Sequence, residues 1–339
     1  MSKKRIMSGM RPTGQLHLGH WLGVLVNWEK LQDEYDCFFM VADWHALTTG
    51  FEKTEHLRAN TREVLLDWLA VGIDPKRSTL YIQSSLQEIA ELTLLLSMMT
   101  PVSWLTRNPT VKEQAAELHA AEDAMTSGWL NYPTLMSADI LAFKGELVPV
   151  GKDQLPHLEI SRDMARRFNH LYGEVFPEPK GLLTEESALP GLDGRKMSKS
   201  YHNDIKLADT PEATQQKVMT MVTDPGRQRR QDPGYPEVCT VYSYYNAIAP
   251  ELVPQVAEEC RSASIGCVQC KRRLADSLNA TLAPIRERRE AFAQTPGLLE
   301  SIVQEGKEKA SAVARETMAE VREAMKLNVV TPAFAENPR

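Results

Sequence analysis

A chain of 339 residues has room for about two domains at the usual ~150 residues each, so a large buried core is available. With 42% hydrophobic and 25% charged residues it lies in the globular range, far from the composition that leaves chains disordered. Lys and Arg number 39 against 45 Asp and Glu, and the resulting net charge of −6 excludes a uniformly basic nucleic-acid-coating protein while permitting local basic patches.

In chain order, strand-like runs at residues 5–8, 37–42, 80–83 and 147–150 alternate with helical patterns at 21–31, 55–71 and 88–99. That alternation predicts parallel βαβ units, hence an α/β fold built on a Rossmann-like, doubly wound parallel sheet. Cys37, inside an apolar run, reads as a core residue. Another helix is expected after Gly151 to Asp153, with Leu155, Leu158 and Met164 facing inward and Arg162, Arg166 and Arg167 outward. The stretch containing Pro177, Pro179, Gly181, Pro190, Gly191 and Gly194 has too many backbone breakers for a regular element and is expected to be a loop or hinge. From Thr210-Pro211, a helix start, helical patterns run to about Leu327. The expected division is an α/β domain over residues 1–205, an all-helical domain over 206–327 and a flexible tail over 328–339. No apolar run approaches the ~20 residues of a membrane helix, and the start Met1-Ser2-Lys3-Lys4-Arg5 leads into no signal-peptide core. A cytoplasmic protein without a membrane partner is expected.

Directly after the first strand comes Gly9-Met10-Arg11-Pro12-Thr13-Gly14-Gln15-Leu16-His17-Leu18-Gly19-His20, opening into an apolar helix. A strand-to-helix junction points backbone N–H groups and the positive end of the helix dipole at the sheet's carboxyl edge, where phosphates bind. Gly19 admits close backbone approach. His17 and His20, three residues apart on one helical face, can donate hydrogen bonds to phosphate oxygens. The plain alternative is a pair of surface histidines, and adenylyl and cytidylyl transferases of several kinds share the HxGH text. The second signal is Lys196-Met197-Ser198-Lys199-Ser200, whose lysines and hydroxyls can close over a triphosphate and neutralise charge growing on a departing pyrophosphate. Taken alone, such a pentapeptide is more often a solvated basic loop.

With HLGH opening the parallel-sheet region and KMSKS ending it, the sequence resembles the class I aminoacyl-tRNA synthetases, whose two signature motifs occur in this order. The resemblance implies that an amino-acid carboxylate attacks the α-phosphorus of ATP, releasing pyrophosphate, before the aminoacyl group passes to the 3′-terminal adenosine of a tRNA. The carboxylate is already ionised at pH 7, so no strong base is required. His17, His20, Lys196 and Lys199 are therefore expected to act as catalytic groups by stabilising transition-state charge, with Mg2+ bridging the phosphates of ATP.

Residues 132–141, Tyr132-Pro133-Thr134-Leu135-Met136-Ser137-Ala138-Asp139-Ile140-Leu141, and the run Val148-Pro149-Val150-Gly151-Lys152-Asp153-Gln154 look like the side-chain pocket and nucleotide-facing GxDQ turn of the subclass containing the tyrosyl and tryptophanyl enzymes. Tyrosyl enzymes commonly carry Gln in the place of Met136, so LMSADIL is similar to the tryptophanyl family. That resemblance implies a tryptophan slot formed by Met7, His45, Tyr132, Met136, Val148 and Val150. Asp139, one helical turn from Met136, would accept the indole N–H, and Gln154 would order the substrate ammonium. It assigns ATP contacts to Arg11, Gly19, His20, Gly151, Asp153, Lys196, Met197, Ser198 and Lys199. The chain departs from the commonest bacterial pattern at Met7, where an aromatic is frequent, at Arg11, where Gln is, and at His17 and His20, where Thr and Asn often stand. The other readings are a tyrosyl enzyme and a metal-containing RNA-binding paralogue that has lost catalysis.

Cys239, Cys260, Cys267 and Cys270 form a C-x20-C-x6-C-x2-C set. In a reducing compartment this points to a metal centre over a disulfide framework, and the inventory fits either four-thiolate Zn2+ or a [4Fe-4S] cluster. The neighbouring text from Arg229 to Gly234 and from Ser264 to Leu274 resembles an iron-sulfur-bearing branch of the tryptophanyl family, which implies [4Fe-4S] in a structural role. Basic residues gather in the same half: Arg227, Arg229 and Arg230, then Lys271, Arg272 and Arg273, then Arg286, Arg288 and Arg289. In a net-acidic chain this concentration suggests a phosphate-contacting surface, with Arg229, Arg230, Lys271, Arg272 and Arg273 as the expected tRNA contacts. The resemblance also implies tRNA(Trp), L-tryptophan and ATP as partners and a homodimer.

Overall fold

Among the described residues five strands, all parallel, lie in the order β3-β2-β1-β4-β5: β1 (Arg5–Met10), β2 (Asp36–Val41), β3 (Ser78–Ile82), β4 (Leu147–Val150) and β5 (Lys180–Leu183). The computed structural model describes residues 3–108, 125–151, 155–183 and 189–327. β2 is buried from Cys37 to Val41, because a central parallel strand is covered on both faces and reads as one apolar run. Successive side chains divide between two cores. Ile6, Cys37, Phe39, Val41 and Leu80 enter one, whereas Met7, Phe38, Met40 and Tyr81 enter the other. Cys37 is thus the core residue expected of it.

The strand order reverses between β1 and β4, which opens a crevice at their carboxyl ends. Both site-bearing segments leave from there: the Arg11–Leu16 turn after β1, and Gly151 after β4.

Helices cover the sheet in the sequence α1 (Val26–Glu34), α2 (Asp43–Gly50), α3 (Leu57–Ala70), α4 (Gln87–Met99), α5 (Val102–Thr106), α6 (Ser127–Leu130), α7 (Tyr132–Leu141) and α8 (Leu155–Tyr172). A single α turn, Leu18–His20, and a π turn, Trp21–Leu25, precede α1. In α8, Leu158 and Met164 are buried, and Arg162 and Arg166 pair with Glu178 at the surface, as the periodicity requires. A helical region follows: α9 (Pro211–Thr220), α10 (Thr240–Ile248), α11 (Val253–Arg261), α12 (Cys267–Ala293) and α13 (Leu298–Ala324). Among the described residues no helix is long and apolar enough to cross a membrane.

Two elements differ from expectation. The breaker-rich stretch contains β5, an edge strand that needs only backbone pairing with β4. Gly181 makes room there: a Cβ would stand 3.1 Å from Leu155 and 3.3 Å from Leu158. The last helix, α13, returns to the sheet and packs on β3 and α4, burying Ala310, Ala314, Met318 and Val321 in the second core. Gly306 permits that approach, because a Cβ would lie 1.7 Å from the Leu80 carbonyl oxygen. Small residues on an otherwise polar helix carried this packing, and a helical periodicity alone does not name the partner it packs on.

Candidate active site

The turn after β1 bends through Gly14, whose φ of 105° favours glycine. His17 then caps the Leu18–His20 turn in a reciprocal arrangement. The His20 N–H donates to His17 Nδ1 and the His17 N–H donates to His20 Nδ1, both at 3.3 Å, with the rings 3.7 Å apart. Each Nδ1 accepts, so in a neutral ring the proton sits on Nε2 and the outward nitrogen is a donor. Burial pulls His17 down to about 4, with Asp204 opposing and Lys199 assisting. Burial, then His17 and Lys199, hold His20 well below its ordinary value. Both rings are neutral donors at pH 7, which suits binding of phosphate oxygens without a proton to lose.

The late lysine loop and the segment after it close on this turn. Leu18 N–H donates to the Ile205 carbonyl at 2.9 Å, Leu207 N–H to the Leu16 carbonyl at 3.0 Å, and His17 bridges Lys206 in antiparallel fashion. Lys199 Nζ donates to the Gly14 carbonyl at 2.8 Å and to Thr13 Oγ1 at 3.3 Å. Met197 is buried, and a Cβ on Gly19 would lie 3.6 Å from its sulfur and 3.1 Å from the His17 ring. Gly19 therefore allows the second motif to pack on the first. Within the loop, the Ser198 N–H donates to Asn203 Oδ1, while Asn203 Nδ2 donates to Asp193 and to the Lys196 carbonyl. Lys196 stays exposed. Burial pulls Lys199 down to about 8, opposed by Asp67 and Asp204 and assisted by Lys206.

Beside this end lies a second buried set. Asp139 on α7 is 1% exposed and accepts from Gln83 Nε2 on both oxygens, at 2.9 and 3.0 Å, and from His45 Nε2 at 2.8 Å. Gln83 Oε1 in turn accepts the Trp44 and His45 backbone N–H groups, which fixes the amide with its NH2 toward Asp139. An ionised carboxylate offers about four acceptor positions, so one remains beyond these three contacts. Burial raises the Asp139 pKa, and the His45 and Gln83 hydrogen bonds lower it. The Tyr132 ring lies 4.5 Å from that of His45, and Met7, Val148 and Val150 share an apolar cluster against which Met136 packs. Arg11 donates to Thr49 Oγ1 at 2.7 Å and faces Tyr132 electrostatically. Gly151 ends β4 at the same edge; Asp153 and Gln154 lie outside the described residues. Gln83 carries no motif, and its only sequence signal is its place one residue past a strand.

Cys239, Cys260, Cys267 and Cys270 line one cavity with Arg227 and Ile265. Cys267 opens α12 and Cys270 lies a turn later, Tyr245 Oη donates to the Cys270 carbonyl at 2.8 Å, and the Arg227 guanidinium approaches Cys260 Sγ at 3.9 Å. Gly234 leaves the space beside Cys260 open, since a Cβ would stand 2.6 Å from the sulfur. Burial pushes the Cys270 thiol up to about 12, and raises Cys260 against the Arg227 charge. Among the described residues no three His, Cys, Asp or Glu groups are gathered tightly enough for one metal ion.

The basic surface is smaller than expected. Arg229, Arg230 and Arg272 are exposed, but Lys271 donates to the Met219 carbonyl and Arg273 pairs with Glu259 at 2.7 Å. Arg286 and Arg289 are half-buried and bind Thr214 and Asp67, whereas Arg288 stays exposed while its Nε donates to the Ala70 carbonyl.

A family model described as tRNA synthetases class I (W and Y) matches residues 2–283. The chain is 50% identical to the tryptophan–tRNA ligase of Thermotoga maritima, over 95% of this chain and 99% of that one. Its identity to the Aquifex aeolicus tryptophan–tRNA ligase is 45%, over 95% and 100%. The crystal structure of Campylobacter jejuni tryptophanyl-tRNA synthetase with ADP and tryptophan matches with a TM-score of 0.87 at 31% identity, covering 95% of this chain and 99% of that one. The chain therefore belongs to the class I aminoacyl-tRNA synthetases of the tryptophan and tyrosine kind. Its full-length relatives narrow this further: it is a tryptophan–tRNA ligase, which sets aside the tyrosyl and the non-catalytic alternatives.

Proposed function

We propose that the crevice between β1 and β4 activates L-tryptophan with ATP through groups that only position and neutralise. The observation that carries this reading is Lys199 seated on the Gly14 carbonyl, within the turn that ends in His17 and His20. Neutral His17 and His20 donate from Nε2 to the phosphates. Lys196 and Lys199 offset the charge on the leaving pyrophosphate, and Mg2+ bound with ATP would supply further positive charge there. Arg11, Gly151, Asp153, Met197 and Ser198 complete the nucleotide contacts. Met7, His45, Tyr132, Met136, Val148 and Val150 enclose the indole, Asp139 accepts its N–H, and Gln154 holds the ammonium. The activated tryptophan then passes to the 3′-terminal adenosine of tRNA(Trp).

The pH dependence tests this assignment. Below about 8 Lys199 is charged and above it neutral, so kcat/KM for ATP in pyrophosphate exchange is expected to fall as pH rises through that value. No limb is expected at the ordinary histidine pKa of about 6.5; one there would show that His17 and His20 work as titrating groups.

In this reading residues 1–205 form the catalytic unit and residues 206–327 the tRNA-holding unit, with α13 as a strap between them and 328–339 as tail. Exposed Arg229, Arg230 and Arg272, beside Lys271 and Arg273, face the tRNA backbone. The four cysteines fit a [4Fe-4S] cluster in that they line one cavity, with Gly234 and Arg227 providing room and positive charge beside Cys260. When bound, the cluster would hold Cys239, Cys260 and the start of α12 together; activation requires no electron. Anaerobically purified protein should carry about four irons per chain and absorb in the visible range, and zinc at one per chain would overturn the assignment. A homodimer is supported by Leu94 and Met98, a turn apart on α4, and Val102 at the start of α5, which are 56%, 70% and 63% exposed. The cytoplasm is the proposed location.

A further inference from the structure

Asp67 and Arg289 lie outside both signature motifs, 222 residues apart, and meet beside the first one. Asp67, on α3, is fully buried. Its Oδ2 accepts the Leu16 backbone N–H at 2.7 Å, and its Oδ1 accepts Arg289 Nε at 2.7 Å. Arg289 Nη2 also donates to Glu63 Oε2 at 2.5 Å, and that oxygen accepts Gln15 Nε2 at 2.7 Å. The two residues immediately before His17 are therefore held by two carboxylates of α3 that one guanidinium of α12 bridges. One residue earlier, Gly14 receives Lys199. The neighbouring Arg288 Nε donates to the Ala70 carbonyl at 2.7 Å, which seats this end of α12 on the end of α3.

We propose that Asp67 and Arg289 are positioning residues for tryptophan activation, placing the first signature turn and Lys199 and making both depend on how α12 is seated on α3. This rests on the reading of the nucleotide end given above. A buried carboxylate stripped of its partner is an uncompensated charge, so Arg289 keeps Asp67 ionised and able to hold the Leu16 N–H. Burial raises the Asp67 pKa; the Leu16 N–H and Arg289 pull it down. Among the described residues, the charged and titratable groups facing Lys199 are Asp67 from α3, Asp204 and Lys206 from the segment after the loop, and His17 and His20 from the first turn. Removing the Asp67 charge makes Lys199 easier to deprotonate, which loosened packing alone would not do.

Pyrophosphate exchange with the full-length protein separates these effects. Arg289→Met is expected to lower kcat on the order of a hundredfold, through misplacement of the turn, while KM for tryptophan stays within about twofold. Arg289→Lys should recover part of the loss, since an ammonium still neutralises Asp67 but does not fork to Glu63. Asp67→Asn should move the alkaline limb of kcat/KM for ATP about one pH unit lower. Unchanged exchange in Arg289→Met, or an unmoved limb in Asp67→Asn, overturns the proposal. If Arg289→Met fails to fold, as a circular-dichroism melt would show, the limb in Asp67→Asn decides alone. Wild-type protein without any exchange would instead overturn the reading of the nucleotide end.

Discussion

Asp139→Asn is expected to lower kcat/KM for tryptophan by about a thousandfold, roughly 4 kcal/mol, with kcat/KM for ATP much less affected. The amide keeps the shape of the carboxylate but replaces one acceptor oxygen by a donor. Gln83 Nε2 and His45 Nε2 already point donors at both oxygens, so whichever way the amide turns, one donor faces another inside a fully buried pocket. Each buried group left unpaired costs about 1–3 kcal/mol, and the position left for the indole N–H disappears as well. Kinetics of tryptophan-dependent exchange read the loss directly. A substrate analogue with sulfur in place of the indole N–H should lose far less, because it never used the acceptor. Equal losses for the two substrates would show that Asp139 only supports the pocket wall.

Lys199→Ala should lower kcat for exchange by about a hundred- to a thousandfold, the usual cost of removing one preorganised donor from a developing charge. Tryptophan KM should hold, since the hydrogen bonds of Lys199 among the described residues go to the Thr13–Gly14 turn. Lys199→Arg should retain charge and part of the rate. A loss confined to KM for ATP, with kcat intact, would mean that the lysine binds the ground state and the transition state equally.

The parts of the site visible in the sequence are those whose chemistry needs a particular residue type at a fixed spacing. His17 and His20 cap one turn reciprocally, which requires the three-residue interval that the sequence displays. The lysine loop was equally legible, and the antiparallel contacts of the segment that follows it, residues 205–207, with residues 16–18 bring two segments so distant in the chain together. Gln83 was not legible, because its role comes from a strand end meeting α7, and no local pattern records that meeting. The same holds for Arg286, Arg288 and Arg289. Three arginines on a long helix read as a solvated basic face, whereas α12 lies against α3 and α9 and each of the three hydrogen-bonds to one of them, Arg288 while remaining exposed. β5 escaped notice for a different reason, since an edge strand with Gly181 at its centre has no apolar alternation to show. The alternation of β1 to β4 with amphipathic helices was enough for the sheet itself, because buried parallel strands leave few other apolar patterns.

The claim on which the account depends is that one crevice holds the triphosphate under two converging motifs while a buried acceptor selects an indole. Amino-acid-dependent pyrophosphate exchange, run with tryptophan and tyrosine side by side, tests it most directly. A kcat/KM for tryptophan at least about a thousandfold above that for tyrosine is the predicted result. Exchange with neither amino acid, or with both to a similar extent, would contradict it.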